Sequence, residues 1–269
     1  MKQVKNIFSI DTEDWYHSYY GQKIHHEHTS RIIKPVEKIL KILKNNQSTA
    51  TFFIVGQVAQ KHPELIKEIK KQGHEIASHG FDHLFVDKIG PQKFETDLTK
   101  SKQILESIIK TKVLGYRAPA WSVNQKTTPW FWSILKKHGF EYSSSIFPFK
   151  TFMYGDNTAI QLPHKINGVL EIPPPVVQIK NIRIPFSGGF YLRCLPTLTV
   201  KLFTKIVNLQ GLSTIYYIHP RELDPKQPRL KLSLTKTFIH YYGISQTKTK
   251  LKKILSSFPC QSIKQHYRL

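Results

Sequence analysis

Two histidines four positions apart, His79 and His83, have the residue type and spacing to bind one metal ion. They follow Gly73 and the run 75–78, which has the pattern of a short buried strand. Side chains four residues apart on a helix or tight turn project to one side, and neutral imidazole is a common metal ligand. With 13 histidines in the chain, a chance pair of surface histidines is the alternative. A nearby carboxylate would complete a catalytic metal site.

An acidic cluster, Asp11, Glu13 and Asp14, follows the apolar run 5–10, which we predict to be the first strand. Enzymes with alternating strands and helices place their chemistry at the carboxyl ends of the strands. We therefore expect a carboxylate of this cluster to meet the histidine pair. The alternative for either Glu13 or Asp14 is a solvated acid that caps a helix.

Predicted strands and helices alternate along the whole chain, which indicates an α/β fold with a parallel, barrel-like sheet. The strand pattern covers residues 5–10, 49–55, 75–78, 113–117, 140–146, 169–172, 176–184 and 213–218. The helix pattern covers residues 31–45, 63–72, 91–110, 128–138, 198–208 and 248–258. The segment 149–190 is rich in proline, glycine and aromatic residues, so we expect one domain whose second half has extra loops and short strands.

The composition fits a protein that buries a large core without disulfides. The chain has 269 residues, of which 40% are hydrophobic, and its two cysteines, Cys194 and Cys260, match no metal or redox spacing. The first fifteen residues turn acidic, unlike a signal peptide, and no apolar run of about 18 residues is present. These features predict a soluble, cytoplasmic protein.

The charge is strongly basic, with 40 Lys and Arg against 18 Asp and Glu and a net charge of +22. Such an excess favours binding to polyanions. No basic and aromatic nucleic-acid module is visible, so we expect no nucleic-acid partner. We predict instead a peripheral association with an anionic membrane surface, through the basic helix that contains Lys248, Lys250, Lys252 and Lys253.

Four motifs fall at predicted strand ends in a fixed order: Asp11-Thr-Glu-Asp14, His79-x3-His83, Arg117-Ala-Pro-Ala-Trp121 and Ile218-His219-Pro220. In this order, from Val4 to about Phe258, the chain resembles the polysaccharide deacetylases, a family of carbohydrate esterases. The segments FSIDTEDW, GYRAPAWS, PFSGGFYLR and YYIHPRELDP look like the branch associated with exopolysaccharide and exosortase systems. The resemblance implies a distorted (β/α)7 barrel. It would form one catalytic domain over residues 1–269, with a core of about 4–225 and a C-terminal extension of about 226–269.

The resemblance also implies the catalytic roles. Asp11 would be the general base that accepts the proton of a water molecule, and Arg117 would pair with Asp11 and hold it ionised. His219 would be the general acid that protonates the leaving amine. For Arg117 the alternative is a structural salt bridge, and for a lone histidine before proline it is an ordinary structural position.

For the metal, the resemblance implies His79, His83 and one carboxylate, either Glu13 or Asp14. A site of two histidines and one carboxylate suits Zn²⁺, with Co²⁺ or Fe²⁺ as alternatives. The implied substrate-binding residues are Tyr116, Pro119 and Trp121. The indole of Trp121 would form a wall for a sugar ring, with core packing as its alternative.

Two positions depart from the branch. Ser143 stands where relatives carry an aspartate that supports the acid histidine, so His219 is expected to lose its proton at a lower pH unless Asp156 or Glu171 replaces that charge. Arg221 stands where relatives carry tryptophan, which alters the pocket rim.

The function implied is a metal-dependent de-N-acetylase acting on N-acetylhexosamine units of a cell-surface polysaccharide or its cytoplasmic precursor. The inner face of the cell membrane is the expected place of action on a lipid-linked or nucleotide-linked intermediate. The alternative is a catalytically weak glycan-binding protein that retains the same cleft.

Overall fold

A curled, mainly parallel β-sheet forms the centre of the computed structural model, which describes residues 4–18 and 29–269. Within those residues the strands are β1 (Asn6–Thr12), β2 (Thr51–Ile54), β3 (Glu75–Ser78), β4 (Gly115–Tyr116), β5 (Tyr142–Ser143), β6 (His164–Ile166), β7 (Val169–Glu171), β8 (Val177–Ile179), β9 (Ile182–Ile184), β10 (Ile215–Ile218) and β11 (Cys260–Gln261). The helices are α1 (Ile33–Asn45), α2 (Gly56–Lys61), α3 (Pro63–Lys71), α4 (Val86–Ile109), α5 (Phe131–Lys137), α6 (Gly189–Cys194), α7 (Thr197–Leu209), α8 (Leu234–Tyr241), α9 (Ile244–Leu255) and α10 (Ile263–Tyr267).

The strand order in the main sheet is β10-β1-β2-β3-β4-β5-β7-β6, with β11 paired to β1. All neighbours along this path are parallel except the final pair, β7 and β6. Strands β8 and β9 form a separate hairpin. The predicted α/β fold with a barrel-like parallel sheet, and with extra short strands in its second half, is confirmed.

The apolar patterns explain why these segments fold as they do. Every residue of β1 and β2 is buried, as expected for strands that helices or core side chains cover on both faces. The apolar side chains of α1 recur at helical spacing and pack into the main core. Helix α3 has Pro63 at its first turn, and Gly73 after its end adopts a positive φ of 83°, which glycine tolerates best.

The parallel arrangement brings the predicted motifs to one edge of the sheet. Strands β1, β3, β4 and β10 run in the same direction, and the acidic cluster, the histidine pair, Arg117 and His219 lie at or just after their carboxyl ends. Because parallel strands end at the same edge, residues more than 200 positions apart in sequence become neighbours there.

Several element boundaries differ from the sequence prediction. Helix α4 begins at Val86, five residues earlier than predicted, with a break at Gly90 (φ 71°) before Pro91. The segment predicted as one strand over 176–184 is a hairpin that turns at Lys180. Short elements such as α2, α6 and α8 carry too few residues for a clear periodic pattern. In the described part of the chain, no helix has both the length and the hydropathy to cross a bilayer.

Candidate functional site

Glu13, His79 and His83 form a buried cluster whose ligand atoms all lie within 4.8 Å of one another. Nε2 of His83 is 2.7 Å from Oε2 of Glu13. His79 Nδ1 lies 2.8 Å from the backbone carbonyl oxygen of Arg117. Because a carbonyl only accepts, Nδ1 must carry the hydrogen, which leaves Nε2 of His79 as the ligand atom. Two imidazoles and one carboxylate suit a divalent ion such as zinc.

The electrostatics of this cluster favour the protonation states that metal ligands need. Burial raises the pKa of Glu13, but the His83 and His219 imidazoles and the hydrogen bond with His83 outweigh it, so the net pKa lies well below the ordinary value. Burial lowers the pKa of His79 to about 4. At neutral pH, Glu13 is therefore ionised and His79 is neutral.

The geometry distinguishes Glu13 from Asp14. The Asp14 carboxylate accepts hydrogen bonds from the backbone N–H groups of Trp15, at 2.9 Å, and Arg31, at 3.1 Å, and from the Ser30 hydroxyl. It caps the short 3-10 turn Trp15–His17. Of the two carboxylates predicted as ligands, the structure brings Glu13 to the histidines and gives Asp14 the capping role.

The histidine pair occupies a loop rather than a helix. His79 directly follows β3, and His83 lies in an irregular turn with a positive φ of 56°. A non-glycine residue in this region is strained, and such strain is found most often at functional sites. The spacing of four therefore brings the two rings together, with centroids 5.0 Å apart, through a tight turn.

Asp11 lies beside this cluster, held by a buried arginine. Its Oδ1 accepts a 2.6 Å hydrogen bond from Nη1 of Arg117, a side chain with 1% exposure. Arg117 also donates to the hydroxyls of Ser9 and Ser144 and to the carbonyl of Ser144, which fix its plane. The other oxygen of Asp11, Oδ2, lies 3.9 Å from Nε2 of His219.

His219 has a carboxylate partner that sequence reasoning missed. Nδ1 of His219 is 3.3 Å from Oε1 of Glu222, and Nε of Arg193 is 3.3 Å from the same oxygen. Burial lowers the pKa of His219, but the Glu13 charge and the hydrogen bond to Glu222 outweigh it and raise the pKa above its ordinary value. Burial raises the pKa of Glu222, but Arg193, the hydrogen bond with His219 and the charges of His219 and Arg221 together outweigh it and lower the pKa to about 2.

This arrangement corrects the expectation based on Ser143. The buried Ser143 hydroxyl donates to Oγ of Ser145. The two carboxylates considered as replacements are engaged elsewhere: Glu171 bonds the indole of Trp132, and Asp156 bonds the side chain of Asn124. Glu222 supplies the charge instead. Glu222 stands three residues after His219 in the YYIHPRELDP segment, and this spacing is the sequence feature that could have identified it as the partner of His219.

A cleft of about 110 Å³ opens over Asp11, the metal-ligand cluster and His219. Trp121 lines it, packed edge-on against Tyr217 at a ring-centroid distance of 5.3 Å. Ala120 and Trp121 both have positive φ values, 51° and 52°, so the backbone is strained beside the cleft. Gly188 lets Tyr217 approach, because a Cβ there would lie 2.1 Å from the ring.

Two of the predicted substrate-binding residues lie elsewhere. Tyr116 is buried in the aromatic core, with its ring 5.6 Å from Phe94 and 5.7 Å from Phe131. Pro119 is buried and, among the described residues, is outside the set that lines the cleft. The alternation of side chains in a strand explains Tyr116, because Arg117 next to it points to the opposite face, toward Asp11.

Arg221 lines the cleft at the position where the resemblance led us to expect tryptophan. Its Nε lies 3.9 Å from Oε1 of Glu13, and its Nη1 is 3.4 Å from the carbonyl oxygen of His240. A guanidinium at this point adds positive charge to the cleft and a donor for anionic or carbonyl oxygens. His240, which also lines the cleft, has a pKa lowered to about 2, mainly by burial.

Two family models match the chain. Residues 34–143 match a family described as "Polysaccharide deacetylase", and residues 144–268 match one described as "Domain of unknown function (DUF3473)". His79, His83 and Arg117 fall in the first range, and His219 falls in the second. Asp11 and Glu13 precede both ranges, so the sheet assembles the site from three separate stretches.

Curated relatives match over part of their length. A peptidoglycan-N-acetylglucosamine deacetylase of Bacillus cereus is 33% identical over 87 residues, which cover 32% of this chain and 40% of that protein. A chitooligosaccharide deacetylase of Azorhizobium caulinodans is 31% identical over 87 residues, covering 31% of this chain and 41% of that protein. The matched part of the chain thus spans about two fifths of each relative.

A solved structure matches the fold over nearly the whole chain. The family 4 carbohydrate esterase from Streptomyces lividans, in complex with acetate, superposes with a TM-score of 0.54. The match covers 99% of this chain and 95% of that one at 12% sequence identity. At this identity the similarity concerns the fold.

Proposed function

The chain carries a polysaccharide deacetylase domain over residues 34–143, and on that premise we propose that it is a metal-dependent hydrolase that removes N-acetyl groups from N-acetylhexosamine units of a glycan. The observation that carries this proposal is the adjacency of the Glu13, His79 and His83 cluster to the Asp11 and His219 pair in one cleft. Amide hydrolysis needs an activated water, stabilisation of negative charge on the carbonyl oxygen, and a proton for the leaving nitrogen. This cleft offers a group for each need.

Glu13, His79 and His83 would hold the divalent metal, with zinc as the proposed ion. Their chemistry fits: the carboxylate is ionised, and the hydrogen on Nδ1 of His79 is fixed by the Arg117 carbonyl. When bound, such an ion acts as a Lewis acid that polarises the acetyl carbonyl and lowers the pKa of water.

Asp11 is the proposed general base. Arg117 and its hydrogen bond at 2.6 Å keep Oδ1 engaged, so Oδ2 faces the cleft and accepts the proton of the attacking water. Arg117 acts through Asp11, because its hydrogen bond to Oδ1 fixes the orientation of the carboxylate.

His219 is the proposed general acid. Glu222 accepts from Nδ1, which leaves the hydrogen on Nε2 directed into the cleft toward the leaving nitrogen. Since the pKa of His219 is raised, a larger fraction of the imidazole carries the proton at neutral pH. Trp121 is the proposed wall against which the sugar ring packs.

For the substrate we propose an N-acetylated glycan of the peptidoglycan or chitooligosaccharide type, or the precursor of a cell-surface polysaccharide. The relatives named above, whose names specify such glycans, support this choice. We also propose that the protein acts at the cytoplasmic face of an anionic membrane, where a lipid-linked precursor would be available. The charge of +22 supports this location.

The basic helix predicted to contact the membrane provides fewer lysines than its sequence indicates. In α9, Lys250 is buried, and its Nζ donates to the carbonyls of Leu192, Arg193 and Leu195. Its three exposed lysines are Lys248, Lys252 and Lys253.

The experiment measures acetate release and metal content together. Purified protein is assayed on N-acetylated chitooligosaccharides and on peptidoglycan, and its zinc is quantified. We expect acetate release from at least one substrate, with His79→Ala losing both zinc and activity. Zinc with no acetate release from any N-acetylated glycan would favour the glycan-binding alternative, and full zinc occupancy in His79→Ala would contradict the ligand assignment.

A further inference from the structure

The last 98 residues of the chain have an unusually one-sided charge. Residues 172–269 contain 16 Lys and Arg but only two acidic residues, Glu222 and Asp224, whereas residues 1–171 contain 24 Lys and Arg and 16 Asp and Glu. Both acids of the C-terminal part are buried, with 0% and 7% exposure. All of residues 172–269 belong to the described part of the chain, so the surface they form bears lysines and arginines without an exposed Asp or Glu. Such a surface complements an anionic partner.

The same region exposes large apolar side chains on α8. Leu234, Phe238 and Tyr242 are 91%, 50% and 46% exposed. They are spaced four residues apart, so they share one face of the helix and its immediate continuation. Exposed apolar residues scattered singly are ordinary, but an aligned row on one helix face indicates a surface that contacts another apolar phase.

This apolar face of α8 is continuous with the mouth of the cleft. The ring of Phe238 lies 4.7 Å from that of Tyr242 and 5.8 Å from that of Phe190. Phe190 lines the cleft, and so does Ile239, the residue after Phe238. The row therefore leads from the solvent-exposed Leu234 to the entrance of the catalytic site.

Basic side chains lie near the row. Lys231, which is exposed, lies three residues before the start of α8, and Arg229, also exposed, stacks on the ring of Tyr241 at 4.1 Å. Lys236 is exposed too, but it lies two residues from both Leu234 and Phe238 and so projects from the other side of the helix. An apolar helix face in a basic surface is typical of helices that lie in the interface of an anionic bilayer. Nucleic acid would use the basic groups, but an aliphatic side chain as exposed as Leu234 offers no stacking surface to a base.

We infer that the apolar face of α8 (Leu234, Phe238 and Tyr242) with its neighbouring basic residues is a membrane-contacting surface that inserts into anionic lipid and turns the cleft toward it. The inference deepens the proposed peripheral association, because it assigns the contact to α8 rather than to the lysines of α9. A substrate attached to a lipid carrier would then enter the cleft along the Phe238 and Phe190 rings.

The test compares Leu234→Ser with a matched control, Leu209→Ser. Leu209 is 80% exposed at the end of α7, just before the chain enters β10 at the opposite end of the barrel from the cleft. Co-sedimentation is measured with vesicles of phosphatidylglycerol and phosphatidylcholine and with pure phosphatidylcholine vesicles, at low salt and at physiological salt. We expect Leu234→Ser to partition onto the anionic vesicles at least fivefold more weakly than wild type, and Leu209→Ser to stay within twofold of wild type.

A second pair of variants reports insertion directly. The tryptophan emission of Leu234→Trp should shift to shorter wavelength on adding anionic vesicles, and that of Leu209→Trp should not. If wild type does not bind anionic vesicles at all, both the peripheral association and this surface are wrong. If wild type binds but the two serine variants bind equally, the assignment to α8 is overturned. None of these outcomes bears on acetate release from soluble chitooligosaccharides, which tests the proposed activity separately.

Discussion

Replacing Glu222 with glutamine should move the alkaline limb of the activity profile to lower pH. Nδ1 of His219 lies 3.3 Å from Oε1 of Glu222, and this contact helps to raise the pKa of His219. A general acid works only while protonated, so activity falls as the pH rises through that pKa. Glu222→Gln removes the negative charge but keeps the size and an acceptor, and His219 should then lose its proton at lower pH.

The size of the shift follows from the geometry. Two unit charges separated by the 3.3 Å found between Nδ1 of His219 and Oε1 of Glu222 interact by about 5 kcal/mol at an effective dielectric constant of about 20. Arg193 lies equally close to the same oxygen and already offsets part of that charge. Because Gln keeps an acceptor and 20% of the His219 side chain is exposed to solvent, we expect a decrease in pKa of about 1–2 units, equivalent to about 1.4–2.7 kcal/mol.

The assay is a pair of kcat/KM profiles against pH at fixed ionic strength and saturating zinc. Glu75→Gln is the matched control, because Glu75 is also a buried carboxylate but lies at the amino end of β3, away from the cleft. It accepts hydrogen bonds from the hydroxyls of Thr51 and Tyr142. Both variants should lose stability, with about 3 kcal/mol expected for Glu222→Gln because Arg193 loses its partner in a buried pair. Urea unfolding measures that loss. An unmoved alkaline limb in folded, active Glu222→Gln, or an equal shift in Glu75→Gln, would refute the role of Glu222.

Three further predictions concern the remaining site residues. Glu13→Gln should lose bound zinc, measured by elemental analysis. Asp14→Asn should keep its zinc but lose about 1 kcal/mol of unfolding free energy, because the hydrogen bonds that cap the turn after β1 are weakened. The reverse pattern of zinc loss would contradict the ligand assignment. Asp11→Asn and His219→Ala should retain zinc yet lose roughly two to four orders of magnitude in kcat, and a near wild-type rate in either would exclude its role. Ser143→Asp should leave the alkaline limb of the pH profile in place, because Glu222 already supports His219. It should lower the urea midpoint, because the new carboxylate would be buried. An alkaline limb extended to higher pH would show that a carboxylate at position 143 does raise the pKa of His219.

The sequence predicted the fold and the gathering of the motifs because both depend on local patterns. Apolar runs such as residues 49–55 and amphipathic ones such as residues 31–45 specify strands and helices, and their alternation specifies a parallel sheet. In a parallel sheet the ends of successive strands meet at one edge. The proximity of Asp11, His79, Arg117 and His219 follows from that rule alone.

What the sequence could not specify are the contacts made by single side chains. The choice between Glu13 and Asp14 depends on the turn after β1, where Asp14 finds the backbone N–H groups of Trp15 and Arg31. The Glu222 partnership depends on a 3-10 turn after β10 and on Arg193 from α6, a helix of six residues with no clear periodicity. Such short elements are decided by tertiary packing, which a sequence pattern does not contain.

Metal removal and restoration tests the central claim most directly. Acetate release from N-acetylated chitooligosaccharides and peptidoglycan is followed in wild type as purified, after chelation, and after addition of stoichiometric zinc. Asp11→Asn serves as the variant expected to take up zinc without regaining activity. We predict that chelated wild type loses activity and that zinc restores it, whereas zinc restores nothing in His83→Ala. Undiminished acetate release from fully chelated wild type would contradict the proposed metal-dependent site formed by Glu13, His79 and His83.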